Sequence, residues 1–205
     1  MPKIMGATIA EHREVTRARL FDALSTLMSA RGFDAISLAD IAAEAGIGRT
    51  AVYNHFADKE ALLIAFIDHE TNEYLSLLEV ALGATSDPFE RLRLYIRRQF
   101  QLRTFYHFAP GPALTQVVSP GTVEKLRVHV ALVETHLHAI LSDAIASGAI
   151  PDQDIRTVSK LVHACVTGRA APDGEPERTR FIETTELFIL RALGARTGAC
   201  ARTGA

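Results

Sequence analysis

Apolar residues recur along this chain with the period of an α-helix. Between residues 20 and 28, large apolar side chains return every three or four positions, and Gly32 follows where a helix can end in a left-handed turn. Three prolines between residues 110 and 120 predict loops with at most a short helix there. Further stripes of helical period occupy, in order, residues 58–82, 88–100, 123–144, 151–165 and 177–193. No segment makes a convincing strand, so the pattern predicts an all-α protein.

Two short helices joined by a glycine turn are predicted within residues 37–59. Ser37 precedes Asp40 by three positions at the start of an apolar-periodic run, which is typical of a helix beginning at Leu38. Gly46 follows where the first helix must stop, and a second short helix is expected from Arg49 to about residue 55. Such a pair is the layout of a DNA-reading helix-turn-helix.

The second helix divides into an inward and an outward face. Val52 and Phe56 have the spacing of inward-facing residues. On the outward face, Arg49 can form a bidentate pair with guanine O6 and N7, and Thr50 can reach a base edge or a thymine methyl group. We therefore expect these two residues to read bases.

Three nearby side chains carry donors suited to phosphate oxygens, namely Tyr53, His55 and Lys59. The alternative is that Tyr53, His55 and Phe56 merely pack this helix onto its neighbours. For His55 and Phe56 taken singly, packing explains the residue at least as well. The constellation as a whole favours DNA binding.

Several short segments between residues 16 and 62 form a denser pattern. They are Ala30-Arg31-Gly32-Phe33, Ser37-Leu38-x-Asp40-Ile41-Ala42, Ala45-Gly46-Ile47, Ala51-Val52-Tyr53-x-His55-Phe56 and Lys59-Glu60-x-Leu62. In these segments the chain resembles the N-terminal domain of the TetR/AcrR family of one-component transcriptional regulators. The resemblance covers roughly a quarter of the chain, and the remainder is similar to the family only in length and helical pattern.

The resemblance implies roles for individual residues. It implies contacts with the DNA backbone for Ser37, Tyr53, His55 and Lys59, and it implies a base-facing position for Arg49, Thr50 and Asn54. One departure is Gly48, where the family often has a serine or threonine that caps the second helix. A glycine cap is weaker by only a few tenths of a kcal/mol, so the fold is not put in doubt.

Charge sharpens this picture. The formal net charge is −2, and residues 1–60 hold seven Lys and Arg against eight Asp and Glu, a local net of −1. A DNA-binding surface must therefore come from the placement of charges rather than from an excess. We expect few phosphate contacts and a requirement for a dimer.

The last predicted helix, residues 177–193, holds too many apolar residues for a single buried stripe. A second subunit is the natural source of another buried surface. The residues expected at this interface are Leu161, Phe181, Phe188, Ile189 and Ala192. The family resemblance implies that the last two helices of each subunit form a four-helix bundle, and two-fold symmetry then predicts a palindromic operator with half-sites roughly 34 Å apart.

A regulatory site is expected in the C-terminal half. An aromatic cluster with polar neighbours could line a cavity for a small lipophilic effector, and its residues are Phe100, Arg103, Phe105, Tyr106, His107 and Phe108. Plain core is the competing interpretation for each aromatic residue alone. By analogy with the family, an effector would shift the helix after Lys59 and release the DNA, as in a repressor. The five arginines at 91, 93, 97, 98 and 103 are interpreted mostly as a solvated basic face.

These features divide the chain into three expected parts. Residues 1–57 form a three-helix DNA-binding helix-turn-helix domain, and residues 58–194 form a helical domain for effector binding and dimerisation. Residues 195–205 repeat the sequence Ala-Arg-Thr-Gly-Ala around Cys200 and are expected to be disordered.

Other classes of function find little support in the sequence. No targeting signal or apolar run of membrane-spanning length is found, so a cytoplasmic protein without membrane contact is expected. The eight histidines show no zinc-helix spacing, and no nucleophile elbow, phosphate loop or dinucleotide fingerprint is found, so we expect no catalytic residue, no metal and no cofactor. Cys165 is interpreted as a buried thiol. The remaining alternative is a helical ligand-binding or interaction protein with a vestigial DNA-binding domain.

Overall fold

The computed structural model describes residues 9–105, 112–167, 171–172 and 174–194, with the backbone alone at 9–10, 101–105, 112–113 and 167. Within these ranges all regular structure is helical, which agrees with the predicted all-α class. The helices are α1 (Ile9–Arg31), α2 (Leu38–Glu44), α3 (Arg49–Tyr53), α4 (Lys59–Gly83), α5 (Pro88–Phe105), α6 (Pro112–Val117), α7 (Pro120–Ala146), α8 (Ile155–Thr167) and α9 (Glu177–Ala192).

The ends of the helices follow from local sequence signals. Gly32 and Gly46 adopt φ values of +77° and +66°, which L side chains rarely adopt, and they end α1 and the α2 segment as expected. Pro88 begins α5 directly after Asp87, whose carboxylate accepts a hydrogen bond from the Phe89 amide at 2.9 Å. The other helices begin and end within a few residues of the predicted positions, whereas α1 begins at Ile9, well ahead of its predicted stripe at residues 20–28.

The chain forms two compact units, and the first contains the predicted helix-turn-helix. This unit comprises residues 1–70 together with 107–127. Its core is built from fully buried aliphatic and aromatic side chains on α1, α2, α3 and the start of α4, joined by residues from α6 and the start of α7. Representative members are Leu20, Leu24, Ile41, Val52, Leu62, Leu114 and Leu126.

By packing, the unit that contains the predicted helix-turn-helix extends beyond residue 57. Leu114 and Leu126 lie more than 40 residues further along the chain, yet they belong to the same core as the helix-turn-helix. The boundary at residue 57 stays a prediction about function. The expected tail at 195–205 lies outside the described residues.

The second unit comprises residues 71–106 and 128–205 and has a core of its own. Buried side chains come from the later turns of α4, from α5, from the later turns of α7, and from α8 and α9. Its largest fully buried members are Tyr95, Phe100, Leu78, Leu92, Ile96 and Leu137. Both α4 and α7 therefore begin in the first unit and end in the second.

Candidate DNA-binding surface

A reciprocal capping box fixes the start of α2. The Asp40 amide donates to Ser37 Oγ at 3.2 Å, while the Ser37 amide donates to Asp40 Oδ2 at 2.8 Å. The Ser37 hydroxyl also donates to the same carboxylate oxygen at 2.6 Å. These hydrogen bonds, first from the side chain and then from the backbone of Ser37, lower the pKa of Asp40. The helix start predicted at Leu38 is confirmed.

The predicted reading helix, α3, is short and anchored by one apolar side chain. Val52 is fully buried in the core of the first unit, whereas the outward positions are exposed. The exposed residues are Arg49, Thr50, Tyr53 and Asn54. Gly48 is the N-cap and supplies no side-chain hydrogen bond, as a glycine must. The three side chains expected to face bases, Arg49, Thr50 and Asn54, are therefore all accessible on the outward surface of α3.

The aromatic residues at the end of α3 divide between surface and core. Tyr53 is half exposed, while Phe56 packs against the core and its ring lies 6.4 Å from the Phe21 ring, centroid to centroid. The His55 ring lies between these extremes, half-buried and 6.4 Å from Phe56. Packing thus accounts for Phe56, and Tyr53 stays available to a ligand on the outward surface.

Lys59 occupies a different environment from the one expected. Its ammonium donates to the carbonyl oxygens of Phe33 at 2.9 Å and Ile36 at 3.0 Å, with a longer contact to Asp34 O at 3.4 Å. The same nitrogen lies 4.7 Å from the centroid of the Phe33 ring. An ammonium has three N–H donors, and these carbonyls can engage all of them. In this structure Lys59 therefore braces the loop between α1 and α2.

In the second unit, only part of the predicted effector cluster can be described. Phe100 is buried and meets Phe181 edge to face, with ring centroids 5.7 Å apart. The side chains of Arg103 and Phe105, and all of Tyr106, His107 and Phe108, lie outside the described residues.

The core of this unit also holds polar groups that the sequence did not single out. Tyr95 is completely buried, with the Gln99 side chain within reach of its hydroxyl. Burial, the dominant cause, raises the pKa of Tyr95 far above its ordinary value, so this hydroxyl keeps its proton. One turn further along α5, the buried Gln99 side chain donates to the Tyr74 hydroxyl at 2.8 Å. Nothing in the spacing of these residues distinguishes them from core positions.

The predicted dimer residues fall into two groups. Leu161 and Phe188 are each 61% exposed, and Ala192 is also exposed. Phe181 is half-buried against Phe100, and Ile189 is only 2% exposed in the core of the second unit. The assignment of Ile189 to the interface is therefore corrected, because this side chain offers almost no surface to another subunit.

The arginines of α5 also differ from the predicted solvated face. Arg97 Nε and Arg93 Nε lie 2.6 and 3.2 Å from the two carboxylate oxygens of Glu186 on α9, whose side chain is 9% exposed. The hydrogen bond to Glu186 raises the pKa of Arg97 further. Arg91 pairs with Asp143 on α7 at 2.6 Å. Three of the five arginines thus tie α5 to other helices of its unit.

Neither a metal-binding cluster nor a helix fit to span a membrane is found among the described residues. They contain no group of three His, Cys, Asp or Glu side chains able to hold a metal ion. Cys165 is free and half-buried beside the second core rather than fully buried. None of the described helices combines the length and apolar character needed to cross a membrane.

Comparison with known proteins identifies the family. A family model for bacterial regulatory proteins of the tetR family matches residues 20–66, which include the whole helix-turn-helix. The HTH-type transcriptional regulator BetI of Brucella anthropi is 30% identical over 145 residues, which cover 71% of this chain and 72% of BetI. The chain belongs to the TetR family. The nucleoid occlusion factor SlmA of Shewanella sediminis is also similar to this TetR-family chain, at 27% identity over 76% of the chain and 81% of SlmA.

Solved structures support the fold of this TetR-family protein over most of its length. The regulator FadR of Bacillus subtilis, solved in complex with stearoyl-CoA, aligns with a TM-score of 0.72 at 20% identity. The alignment covers 84% of this chain and 96% of FadR. At this identity the likeness shows the fold alone. It places the helices after α4 in the architecture of TetR-family regulators as well.

Proposed function

We propose that this protein is a sequence-specific transcriptional repressor that binds a palindromic operator as a homodimer and is released by a small lipophilic effector. The observation that carries the proposal is the exposed outward surface of α3, supported from below by the fully buried Val52. A helix held in this way can enter a major groove without disturbing its own core.

Within that surface the residues have separate tasks. Arg49 and Thr50, with Asn54, read base edges, because their donors and acceptors are exposed on one side of the helix. Tyr53 and His55 grip phosphates beside the groove. Ser37 supports DNA binding by capping α2 and fixing where that helix begins. Lys59 supports it chiefly by hydrogen bonding to the loop that precedes Ser37.

A homodimer is supported by the exposed apolar residues on α8 and α9. Leu161 and Phe188 expose large apolar side chains, and an obligate interface commonly covers such groups. A dimer also compensates for the lack of excess positive charge in residues 1–60, because two weak reading helices on one duplex act with a high effective concentration.

The effector is proposed to bind in the second unit. The aromatic pair formed by the buried Phe100 and the half-buried Phe181 supplies apolar contact. The FadR structure with stearoyl-CoA shows that one protein of this fold accepts a ligand with a long apolar tail.

Selection of bound duplexes from a random pool tests the DNA-binding proposal. We expect a palindrome whose half-site centres are separated by about one helical turn, roughly 34 Å. Recovery of no preferred duplex would contradict the proposal and favour the alternative of a helical interaction protein with a vestigial DNA-binding domain.

Arg49→Ala tests the reading face directly. Loss of a bidentate guanine contact should reduce discrimination at one position of each half-site by about 1–3 kcal/mol. Arg127→Ala is a matched control, because the Arg127 side chain is 74% exposed on α7 and pairs with the exposed Glu124. Operator selectivity that is unchanged in Arg49→Ala would show that the face is wrongly assigned.

A further inference from the structure

One carboxylate in the first turn of α4 holds the start of α7. Glu60 Oε2 accepts hydrogen bonds from the hydroxyls of Ser119 and Thr122, each at 2.6 Å. The Ser119 amide donates to both carboxylate oxygens, at 3.1 and 3.2 Å. We call Glu60, Ser119 and Thr122 the α4–α7 bracket. It joins positions 59 and 62 residues apart in sequence, all within the first unit.

The bracket depends on negative charge. Hydrogen bonds from the Ser119 and Thr122 hydroxyls are the main causes that lower the pKa of Glu60, so the carboxylate is ionised at neutral pH. Charge-assisted hydrogen bonds are shorter and stronger than neutral ones, in agreement with the two 2.6 Å distances. The carboxylate also lies at the N-terminal end of the 27-residue α7, where a helix favours an anion.

Ser119 has a second task in the same place. Its Oγ accepts a hydrogen bond from the Thr122 amide at 3.3 Å, which caps the first turn of α7. Thr122 is only 6% exposed, whereas Glu60 is half-buried and Ser119 is exposed, so the bracket lies at the edge of the core. A displacement of the start of α7 must therefore either break these bonds or carry Glu60 with it.

The neighbouring residue on α4 holds a second segment of the first unit. Lys59 precedes Glu60 in the same helical turn, and its ammonium holds the carbonyl oxygens of Phe33 and Ile36. Ile36 immediately precedes Ser37, whose hydroxyl caps α2. One turn of α4 thus grips the start of α7 through an anion and the approach to α2 through a cation.

We propose that the α4–α7 bracket couples the position of α7 to the position of the helix-turn-helix, with Glu60 as the positioning residue. The proposal rests on the proposed DNA-binding function for its meaning, but the coupling is a property of the free protein. The α7 helix itself continues as far as Ala146.

Amide hydrogen exchange on the full-length protein without DNA tests the coupling. The variants are Glu60→Gln, which removes the charge and keeps the shape, and Thr122→Val, which removes one hydroxyl at nearly constant volume. Each should raise exchange at residues 33–37, the segment that Lys59 holds, by about threefold or more relative to the wild type. Glu124→Gln is the control, because Glu124 lies on the same helix with its side chain 70% exposed, and it should leave this exchange unchanged.

Operator affinity provides the second measurement. Glu60→Gln and Thr122→Val should each weaken binding to the selected palindrome at least about fivefold, and the double variant should be hardly weaker than Glu60→Gln alone, because both remove the same interaction. If either single variant stays folded and exchange rises only at residues 119–123, the bracket is merely local and the coupling proposal is wrong. Failure of the DNA-binding proposal would instead appear as no preferred duplex, with the exchange result unaffected.

Discussion

The two possible roles of Lys59 can be separated by Lys59→Met. The substitution keeps an unbranched apolar side chain but removes the ammonium that donates to Phe33 O and Ile36 O at 2.9 and 3.0 Å. A hydrogen bond to a charged group contributes about 1.5–3 kcal/mol, and the half-buried position of Lys59 favours the lower end of that range. The cation over the Phe33 ring adds roughly 0.5 kcal/mol. Water can still hydrate part of the half-buried ammonium, which weakens these contacts. We therefore expect the free energy of unfolding to fall by about 2–3 kcal/mol.

Urea unfolding at neutral pH and fixed protein concentration measures this change, since a dimer makes apparent stability depend on concentration. The matched control is Lys125→Met, which removes an exposed ammonium from α7 in the same unit and should change stability by less than about 0.5 kcal/mol. Suppose instead that Lys59→Met matched the wild type in stability while binding the operator tenfold more weakly. The ammonium would then serve phosphate rather than the loop, and the structural role argued above would be refuted.

Four further predictions concern packing and charge. Phe188→Glu should raise the dimer dissociation constant at least about tenfold in sedimentation experiments, and an oligomeric state equal to that of the wild type would contradict this expectation. Ile189→Ala should instead lower the free energy of unfolding by about 2–4 kcal/mol, because Ile189 is buried in the core. Glu186→Gln should lower the free energy of unfolding by about 1 kcal/mol, because its two arginine partners are partly exposed and can be hydrated; chemical denaturation with no change would show that the ion pairs are unimportant. Hydrogen bonds hold the pKa of Glu60 below its ordinary 4.5, so its stabilisation is present above that pH and lost as the pH falls through the lowered value. Thermal melts between about pH 5 and 3.5 should therefore show a smaller loss in Glu60→Gln than in the wild type, and equal losses would argue against this assignment.

Local signals in the sequence were sufficient wherever neighbouring residues decide the structure. The Ser37 capping box and the left-handed turn at Gly46 lie within a few residues of the features they control, and both are found as expected. The outward face of α3 followed from the spacing of Val52 and Phe56. These features all depend on the fixed geometry of one or two helical turns.

Interactions between distant segments could not be predicted in the same way. The α9 helix carries apolar residues around most of its circumference, so its sequence could not distinguish the buried Ile189 from the exposed Phe188 beside it. Glu186 pairs with arginines about 90 positions earlier, and no periodic pattern announces such a pair. Glu60 and Ser119 are likewise polar residues whose proximity arises only when the first unit is assembled. Each of these outcomes depends on which helix faces are brought together.

The composition of the first unit from two separated stretches of chain matters for protein engineering. Leu114 and Leu126 belong to the same core as the helix-turn-helix, although they follow it by more than 50 residues in the sequence. A hybrid regulator made by grafting only the first 57 or 70 residues onto another sensor would leave the apolar surface beneath these leucines uncovered. The transplantable module is therefore the N-terminal segment together with residues 112–127, and a recipient protein must supply, or be given, both pieces.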